Sequence, residues 1–503
     1  MARGIQAFHT GTEILGSKIV SDLWRRTKIV ATLGPGSDDP GTIEALIQAG
    51  VNVFRLNFSH GLAESHVVTA RHVRAISQRL DQPVAILCDL QGPKIRIGQF
   101  KDNQKPQLKV GDRFKLSPMI DAMAGSQAAV YLAAWVLTDL APKDRLLIDD
   151  GRVELEVERL DDTGADCVVR RGGIISGLKG VNKFGGGLSS PALTDKDFSD
   201  LKIAAELETD FLAVSFVKSA EDVHLARQHL TLAGSQAHII AKMERAEAIE
   251  EPWLSEIIAA ADGIMVARGD LGVEIGDENL IAVQKELISR AISANKVTIT
   301  ATQMMESMID APTPTRAEVF DVANAVLDGT DAVMLSAETA VGRYPVETVR
   351  AMSRVIVGAE RHPTLERAQH QATALFGEID QAVALSAMYA ANHLSGIKAV
   401  ICLTETGKTP RWMSRMQSSL PIFALAEQVG TSEITALYKG VIPVYFQASV
   451  MKPSMINHLA VEAVRKIAHL EPGDLVIMTK GDFVNVHGGT NTLKIIRIGD
   501  MIQ

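Results

Sequence analysis

His238-Ile-Ile-Ala-Lys-Met-Glu244 decides how the rest of the chain is read. The run is apolar through Ile239-Ile240-Ala241 and then turns charged, with Lys242 and Glu244 two residues apart. In a strand, residues i and i+2 share a face. The pattern predicts a short buried strand whose carboxyl end presents an ammonium beside a carboxylate. Taken alone, Lys-x-Glu is also what a plain structural ion pair looks like. The next apolar run, Gly263-Ile-Met-Val-Ala-Arg268, ends in Gly269-Asp270 and again places charge where a buried strand stops. Carboxylates from two neighbouring strand ends, with a lysine between them, can hold a divalent metal and an anionic oxygen.

Outward from this stretch, strand and helix signals alternate. Lys28–Leu33, Val51–Asn57 and Pro83–Asp89 read as strands, with helices over Thr42–Ala49 and about 62–80 between them. The rhythm resumes at Phe211–Phe216 and continues through 239–244, 263–268, Thr298–Thr302 and Ala332–Ser336. Leu280, Val283, Leu287 and Ala291 recur at helical spacing before the seventh strand. Eight βα units predict an α/β protein built on a (β/α)8 TIM barrel. Residues 98–186 break the rhythm. Their short alternating runs, such as Val153–Val157, and clusters such as Asp149-Asp-Gly151 predict a small β domain inserted after the third strand. It closes with Lys179-Gly-Val-Asn-Lys-Phe-Gly-Gly-Gly187, whose glycines suit a hinge. From about 361 a further α/β domain with a mostly parallel open sheet is expected. Its strands are Ile397–Leu403, Val441–Tyr445, Asp474–Met478 and Leu493–Arg497, and a helix spans Gln381–Leu394. The expected boundaries are an N-terminal segment 1–26, barrel segments 27–97 and 187–360, the insert 98–186, and the C-terminal domain 361–503.

Composition narrows the classes. The 503 residues call for several domains, and 46% hydrophobic content supplies a large core. A net charge of −9 without a basic block argues against nucleic acid as a partner. Cys88, Cys167 and Cys402 are widely separated and form neither a disulfide framework nor a zinc motif, which points to a reducing cytoplasm. No apolar run approaches 18 residues, so no membrane span is expected, and residues 1–26 lack the apolar core of a signal peptide.

Barrel chemistry sits at the carboxyl ends of the strands. In strand order those ends carry Arg55, Asn57, Ser59 and His60; Asp89, then Lys94 and Arg96; Ser215; Lys242 and Glu244; Arg268 and Asp270; Thr302; and Ser336 and Glu338. Several cations with two metal-type carboxylates on one rim point to a phosphorylated or strongly anionic substrate.

The motifs carrying these residues resemble those of pyruvate kinases. They are Asn52-Val-Phe-Arg-Leu-Asn-Phe-Ser-His60, Gly92-Pro-Lys-Ile-Arg96, Ile240-Ala-Lys-Met-Glu-Arg245, Val266-Ala-Arg-Gly-Asp-Leu-Gly-Val-Glu274, Pro314–Asn324 and Met334-Leu-Ser-Ala-Glu-Thr339. The resemblance covers nearly the whole chain. It implies transfer of the phosphoryl group of phosphoenolpyruvate to ADP, giving pyruvate and ATP, in a cytoplasmic homotetramer. By resemblance, Lys242, Arg55 and Thr302 are catalytic. Glu244 and Asp270 are ligands of Mg2+, with Mn2+ as a substitute. Arg96, Arg268, Gly269 and Ser336 join the substrate site, Arg268-Gly269 through backbone N–H groups. Asn57, His60 and Arg55 face the nucleotide, and Lys179 approaches it from the insert, which would close as a lid.

Two positions depart from the family pattern. Asn57, Ser59 and Asp89 match ligands of a bound K+ in many members, but Leu90 stands where threonine is usual and Lys94 where glutamate is usual. A fixed ammonium can replace a monovalent cation by charge equivalence, so activity without K+ is expected. In the C-terminal domain, Thr404-Glu-Thr-Gly-Lys-Thr409 follows a strand and is expected to open a helix. Thr404, Thr406, Gly407, Lys408 and Thr409 would make an anion cradle there. It is not a P-loop, because Cys402 occupies the first glycine position. By resemblance this is an allosteric site, here for a sugar monophosphate, with His487-Gly-Gly-Thr490 opposite. Two other readings share some of these features. A Mg2+-dependent lyase or aldolase of pyruvate enolates would need no nucleotide. A catalytically silent metabolite-binding regulator would be expected to lose Lys242, a metal carboxylate or Thr302, and all are present.

Overall fold

The computed structural model describes residues 24–362, 377–482 and 489–500. Most of the expected N-terminal segment, and His487 and Gly488 of the expected effector loop, lie outside the described residues. The chain divides into two compact units. One spans Ile29–Ala351, and the other joins the residues up to Lys28 with those from Met352 onward.

The larger unit contains a closed barrel of eight parallel strands. In order they are Lys28–Leu33, Val53–Asn57, Ala85–Asp89, Phe211–Val214, His238–Met243, Gly263–Ala267, Val297–Ala301 and Ala332–Leu335. Most of their residues are buried, as expected of strands covered on both faces. The sixth strand is followed at once by a helix not foreseen in the sequence, Arg268–Ile275. Gly269 and Gly272 lower its intrinsic propensity, and its buried face, Leu271 and Glu274 among it, is settled by packing.

A fourfold polar repeat closes the amino-terminal end of the barrel. Asn52, Asp210, Asp262 and Asp331 each stand just before an even-numbered strand. Each side chain accepts a hydrogen bond from the second N–H of the preceding odd-numbered strand. The donors are Ile29 at 3.1 Å, Ile86 at 2.7 Å, Ile239 at 2.9 Å and Thr298 at 2.9 Å. The first residues of a strand at the barrel rim lack a complete ladder, and an unpaired buried N–H is costly. One side chain per pair of strands removes that cost.

The insert after the third strand holds an antiparallel pair, Gln107–Leu108 with Gly173–Ile174, and a six-stranded sheet. Its strand order is Val181–Lys183, Arg145–Ile148, Val153–Asp161, Gly164–Arg171, Arg113–Ser117 and Ala129–Tyr131. It encloses its own core, including Phe100, Phe114, Leu116, Leu155 and Val169. The two segments that join it to the barrel run antiparallel. Ile97 N donates to Lys179 O at 3.0 Å, and Val181 N to Ile95 O at 2.9 Å.

The smaller unit carries a five-stranded sheet, ordered Val441–Tyr445, Ile422–Ala426, Ile397–Leu403, Leu475–Gly481 and Thr490–Arg497. All neighbours are parallel except the last pair. Ile422–Ala426 was not among the expected strands. Helix Pro453–Ala468 packs Ile456, Ala460 and Val464 against Ile401, Phe423 and Val476.

Removing one clamp tests the repeat. Asp331 is fully buried and accepts from Thr298 N at 2.9 Å and Thr298 Oγ1 at 3.2 Å. Asp331→Ala should lower stability by about 2–3 kcal/mol in urea denaturation, the effect of stranding two buried donors. Turnover at 25 °C should stay within about twofold, because the clamp lies at the barrel end away from the chemistry.

Candidate active site

The carboxyl ends of the barrel strands bring the expected residues into one network around Lys242. Its Nζ lies 3.2 Å from Asp89 Oδ1 and 3.0 Å from Glu244 Oε1, and donates to Ser215 Oγ at 2.7 Å. The strand ends at Met243, so Glu244 sits just beyond it, but the pairing expected from the spacing is made. Asp89 Oδ2 accepts from Arg55 Nε at 2.7 Å, and Arg55 Nη1 donates to Thr32 Oγ1 at 3.1 Å. Burial works against charge on Lys242, yet Asp89 and Glu244 outweigh it and raise the ammonium pKa. Burial also opposes charge on Asp89, while Lys242 and Arg55 hold its carboxyl below the usual range. Glu244 is pushed up by burial, with Asp270 and Asp89 adding repulsion and Lys242 opposing it.

Two strained backbone positions shape the pocket. Phe216, just past the fourth strand, has φ of 54°, and its N–H donates to Glu244 Oε2 at 2.8 Å. Thr302, just past the seventh, has φ of 70°. A β-branched residue is rare in that region, and such outliers gather at functional sites. Thr302 Oγ1 accepts from Gly269 N at 2.9 Å and donates to Ala301 O at 2.6 Å. The Arg268 guanidinium is committed elsewhere. It donates to Thr302 O at 2.7 Å and pairs with Asp321 Oδ1 at 2.7 Å. Arg268 therefore braces the Thr302 turn.

Asp270 is paired with Lys94 Nζ at 3.2 Å. Lys94 is thus found on this carboxylate, whereas Asp89 is occupied by Arg55 and Lys242 and Asn57 Oδ1 accepts from Ser59 N at 3.2 Å. Leu90 is buried. Among the described residues no group of three or more His, Cys, Asp or Glu is arranged as a metal cage. Glu244 and Asp270 by themselves fit Mg2+, which keeps several waters and takes substrate oxygens. The repulsion Asp270 exerts on Glu244 is what a divalent cation there would relieve.

Other expected residues stand apart from this network. Arg96 Nη1 donates to Leu178 O at 2.8 Å in the junction to the insert. Lys179 Nζ is 2.7 Å from Asp149, within the insert. His60 is exposed, and its carbonyl is 2.9 Å from His66 Nε2. Ser336 N donates to Glu338 Oε2 at 2.6 Å. Sequence reasoning missed Thr32, which anchors Arg55. It also missed Lys196, whose Nζ donates to Phe58 O at 2.7 Å and so stands beside the end of the second strand. Nothing in local spacing links Lys196 to a strand nearly 140 residues earlier.

In the smaller unit, helix Lys408–Arg415 does open after the strand, with Gly407 at φ 76°. Gly407 N donates to Thr404 Oγ1 at 3.0 Å, and Thr409 Oγ1 lies 2.9 Å from Thr490 Oγ1. Thr406 is exposed. Lys408 is paired with Glu378 and with Asp380 at 3.2 Å. An anion at this turn would have to draw Lys408 from those carboxylates.

The central ion network has a consequence for stability. Lys242→Met would strand Glu244 in the interior and leave Asp89 to Arg55 alone, a loss of about 3 kcal/mol at pH 8. Burial already raises the Glu244 carboxyl, and without the ammonium that opposes it the folded-state pKa would rise further. The native state would then hold a proton that the unfolded chain has released, so the loss should shrink as pH falls to 5.5. Urea unfolding at the two pH values checks this, and an equal loss at both would contradict it.

Comparison with known proteins agrees with this geometry. The family model for the pyruvate kinase barrel domain matches residues 24–349, and that for the pyruvate kinase alpha/beta domain matches residues 381–496. The chain is 51% identical over 476 residues to pyruvate kinase II of Salmonella typhimurium, covering 94% of this chain and 99% of that protein. It is 51% identical over 459 residues to pyruvate kinase of Haemophilus influenzae, covering 91% and 96%. It is 50% identical over 477 residues to pyruvate kinase of Buchnera aphidicola, covering 94% and 99%. With both family models matched and half of all residues shared across nearly full-length relatives, this chain belongs to the pyruvate kinase family of phosphotransferases.

Proposed function

We propose that the barrel rim transfers the phosphoryl group of phosphoenolpyruvate to ADP, giving pyruvate and ATP, with Mg2+ and without a requirement for K+. The observation that carries this reading is the Lys242 ammonium fixed between Asp89 and Glu244 at adjoining strand ends. Its charge is matched by the carboxylates of Asp89 and Glu244. An entering phosphate brings oxygens that compete for it, and Lys242 then offsets the charge that spreads over those oxygens in flight. Arg55 meets the phosphoryl group from the other side of Asp89. Thr302 lies near the carbon that gains a proton, and its hydroxyl is held in place by Gly269 N and Ala301 O. The backbone N–H groups of Arg268-Gly269 serve the substrate carboxylate, which takes Gly269 N–H over from Thr302 Oγ1, with Arg96 and Ser336 completing the pocket. Asn57, His60 and Lys179 serve the nucleotide, Lys179 from the insert once it closes. Closure of residues 98–186 over the barrel excludes water, the competing phosphoryl acceptor. Mg2+ held by Glu244 and Asp270, for which Mn2+ can substitute, would neutralise phosphate and enolate oxygens.

Independence from K+ rests on Lys94 and Leu90. Both oxygens of Asp89 are already taken by cations of the chain, and Lys94 supplies a fixed positive charge at Asp270. Exposed Phe320 and Ile281 on the barrel helices Arg316–Leu327 and Asp277–Ser293 suit burial in a homotetramer. The cytoplasm is the proposed compartment, and among the described residues no helix is long and apolar enough to cross a membrane. The turn Thr404–Thr409 is proposed as the regulatory site, taking a sugar monophosphate against Thr406, Gly407 and Lys408.

Pyruvate formation from phosphoenolpyruvate and ADP with Mg2+ should proceed in buffer stripped of K+ and change little when K+ is restored. Lys94→Glu with Leu90→Thr should make turnover depend on K+. Unchanged independence in that double variant would sink the Lys94 argument while leaving the enzyme assignment intact. For the regulatory site, sugar monophosphates should raise Tm in wild type and lose that effect in Lys408→Ala. An undiminished shift in the variant would remove the proposal.

A further inference from the structure

The carboxylates Glu244 and Asp270 arise from different strand ends, and their backbones are joined by a residue outside the reacting site. Glu274 lies one turn after Asp270 on helix Arg268–Ile275, is 3% exposed, and accepts from Ala246 N at 2.8 Å through Oε2. Ala246 is two residues past Glu244. The other oxygen, Oε1, accepts from Asn182 Nδ2 at 3.3 Å, in the segment that returns from the insert. The Glu274 carbonyl also accepts from Gly185 N at 2.9 Å. One residue thus touches the helix bearing Asp270, the loop bearing Glu244 and the hinge of the insert.

Arg245 reinforces the same junction. It is 3% exposed, donates through Nη1 to Ser190 Oγ at 3.2 Å, and donates through Nη2 to Leu188 O. A cleft at this junction is lined by Lys94, Asn182, Arg245, Asp270 and Glu274 among others, so the hinge and the site share one wall. Burial pushes the Glu274 carboxyl up to about 7. A residue that only filled space there would be better apolar.

We propose that Glu274 is a positioning residue that couples seating of the inserted lid to the spacing of the two carboxylates assigned to Mg2+. Partners of this kind orient metal ligands without touching the metal. When the hinge is seated, Asn182 and Gly185 hold the Glu274 end of the helix, and the Ala246 bond holds the Glu244 loop against it. When the hinge swings, the same bonds are released or rotated, and the carboxylates lose a shared reference. The inference rests on the proposed metal site.

The test uses the full chain, with Mn2+ as the probe, followed by water-proton relaxation, and with hydrogen exchange of the segment 180–187. Glu274→Ala should weaken Mn2+ binding by about tenfold or more and speed exchange at 180–187 and at Ala246. Turnover should fall with it, mainly in kcat. Glu274→Gln keeps an acceptor for Ala246 N and should recover most of each effect. Asn182→Ala, which removes only the hinge bond, should speed hinge exchange with a smaller change in Mn2+ affinity, and serves if Glu274→Ala does not fold. Unchanged Mn2+ affinity and hinge exchange in Glu274→Ala would overturn the inference. So would faster exchange spread evenly over the barrel. If Asp270→Asn left Mn2+ affinity unchanged, the metal assignment would fail, and the coupling inference, which needs that site, would fall with it. Hinge exchange would still show whether Glu274 tethers the lid.

Discussion

The ammonium of Lys242 between Asp89 and Glu244 is the interaction on which this site depends. Each of these groups alone would be costly to bury. Together with Arg55 they form a chain of alternating charge running from the second strand to the fifth. That chain orients the side chains before any ligand arrives, so little reorganisation is left for the chemical step. The charges are balanced within the protein, which leaves an anionic substrate without spare positive charge unless a further cation comes with it. The divalent ion proposed for Glu244 and Asp270 would meet that need, where burial and Asp270 already push the Glu244 carboxyl up.

The rest of the rim is built to hold this chain still. Phe216 and Thr302 adopt left-handed backbone immediately after the fourth and seventh strands. In both cases the strained turn makes a hydrogen bond that fixes a site group: Phe216 N to Glu244, and Thr302 Oγ1 with Gly269 N. Arg268 spends its guanidinium bracing the Thr302 turn. At the opposite end of the barrel, the clamps Asn52, Asp210, Asp262 and Asp331 lock strand pairs and leave the carboxyl end free for function. Stability and chemistry are thereby separated along the strand axis.

The inserted domain has its own core and its own sheet. Its attachment is narrow, two antiparallel segments around Ile97 and Val181. Arg96 and Lys179, expected at the substrates, here bond to Leu178 and Asp149 near that attachment. Neither of these two pairings is encoded by a local pattern.

Much of this protein was legible in the chain. All eight barrel strands were read within a few residues, because buried parallel strands are short apolar runs and their ends carry charge. The residues around Lys242 followed from the same rule, since position at a strand end is a sequence property. Strand Ile422–Ala426 escaped because Ile-Phe-Ala-Leu-Ala is equally compatible with a helix, and only its neighbours on both sides decide. Helix Arg268–Ile275 escaped because its glycines argue against it and packing overrides them. The sequence by itself determined which chemical groups reach the rim and in what order around it. Tertiary structure alone decided which of them pair: Lys94 with Asp270, Thr32 with Arg55, Glu274 with Asn182 and Ala246. Those partners lie tens to nearly two hundred residues apart, and hydrogen bonding and charge act over a few ångströms of space, with no memory of distance along the chain.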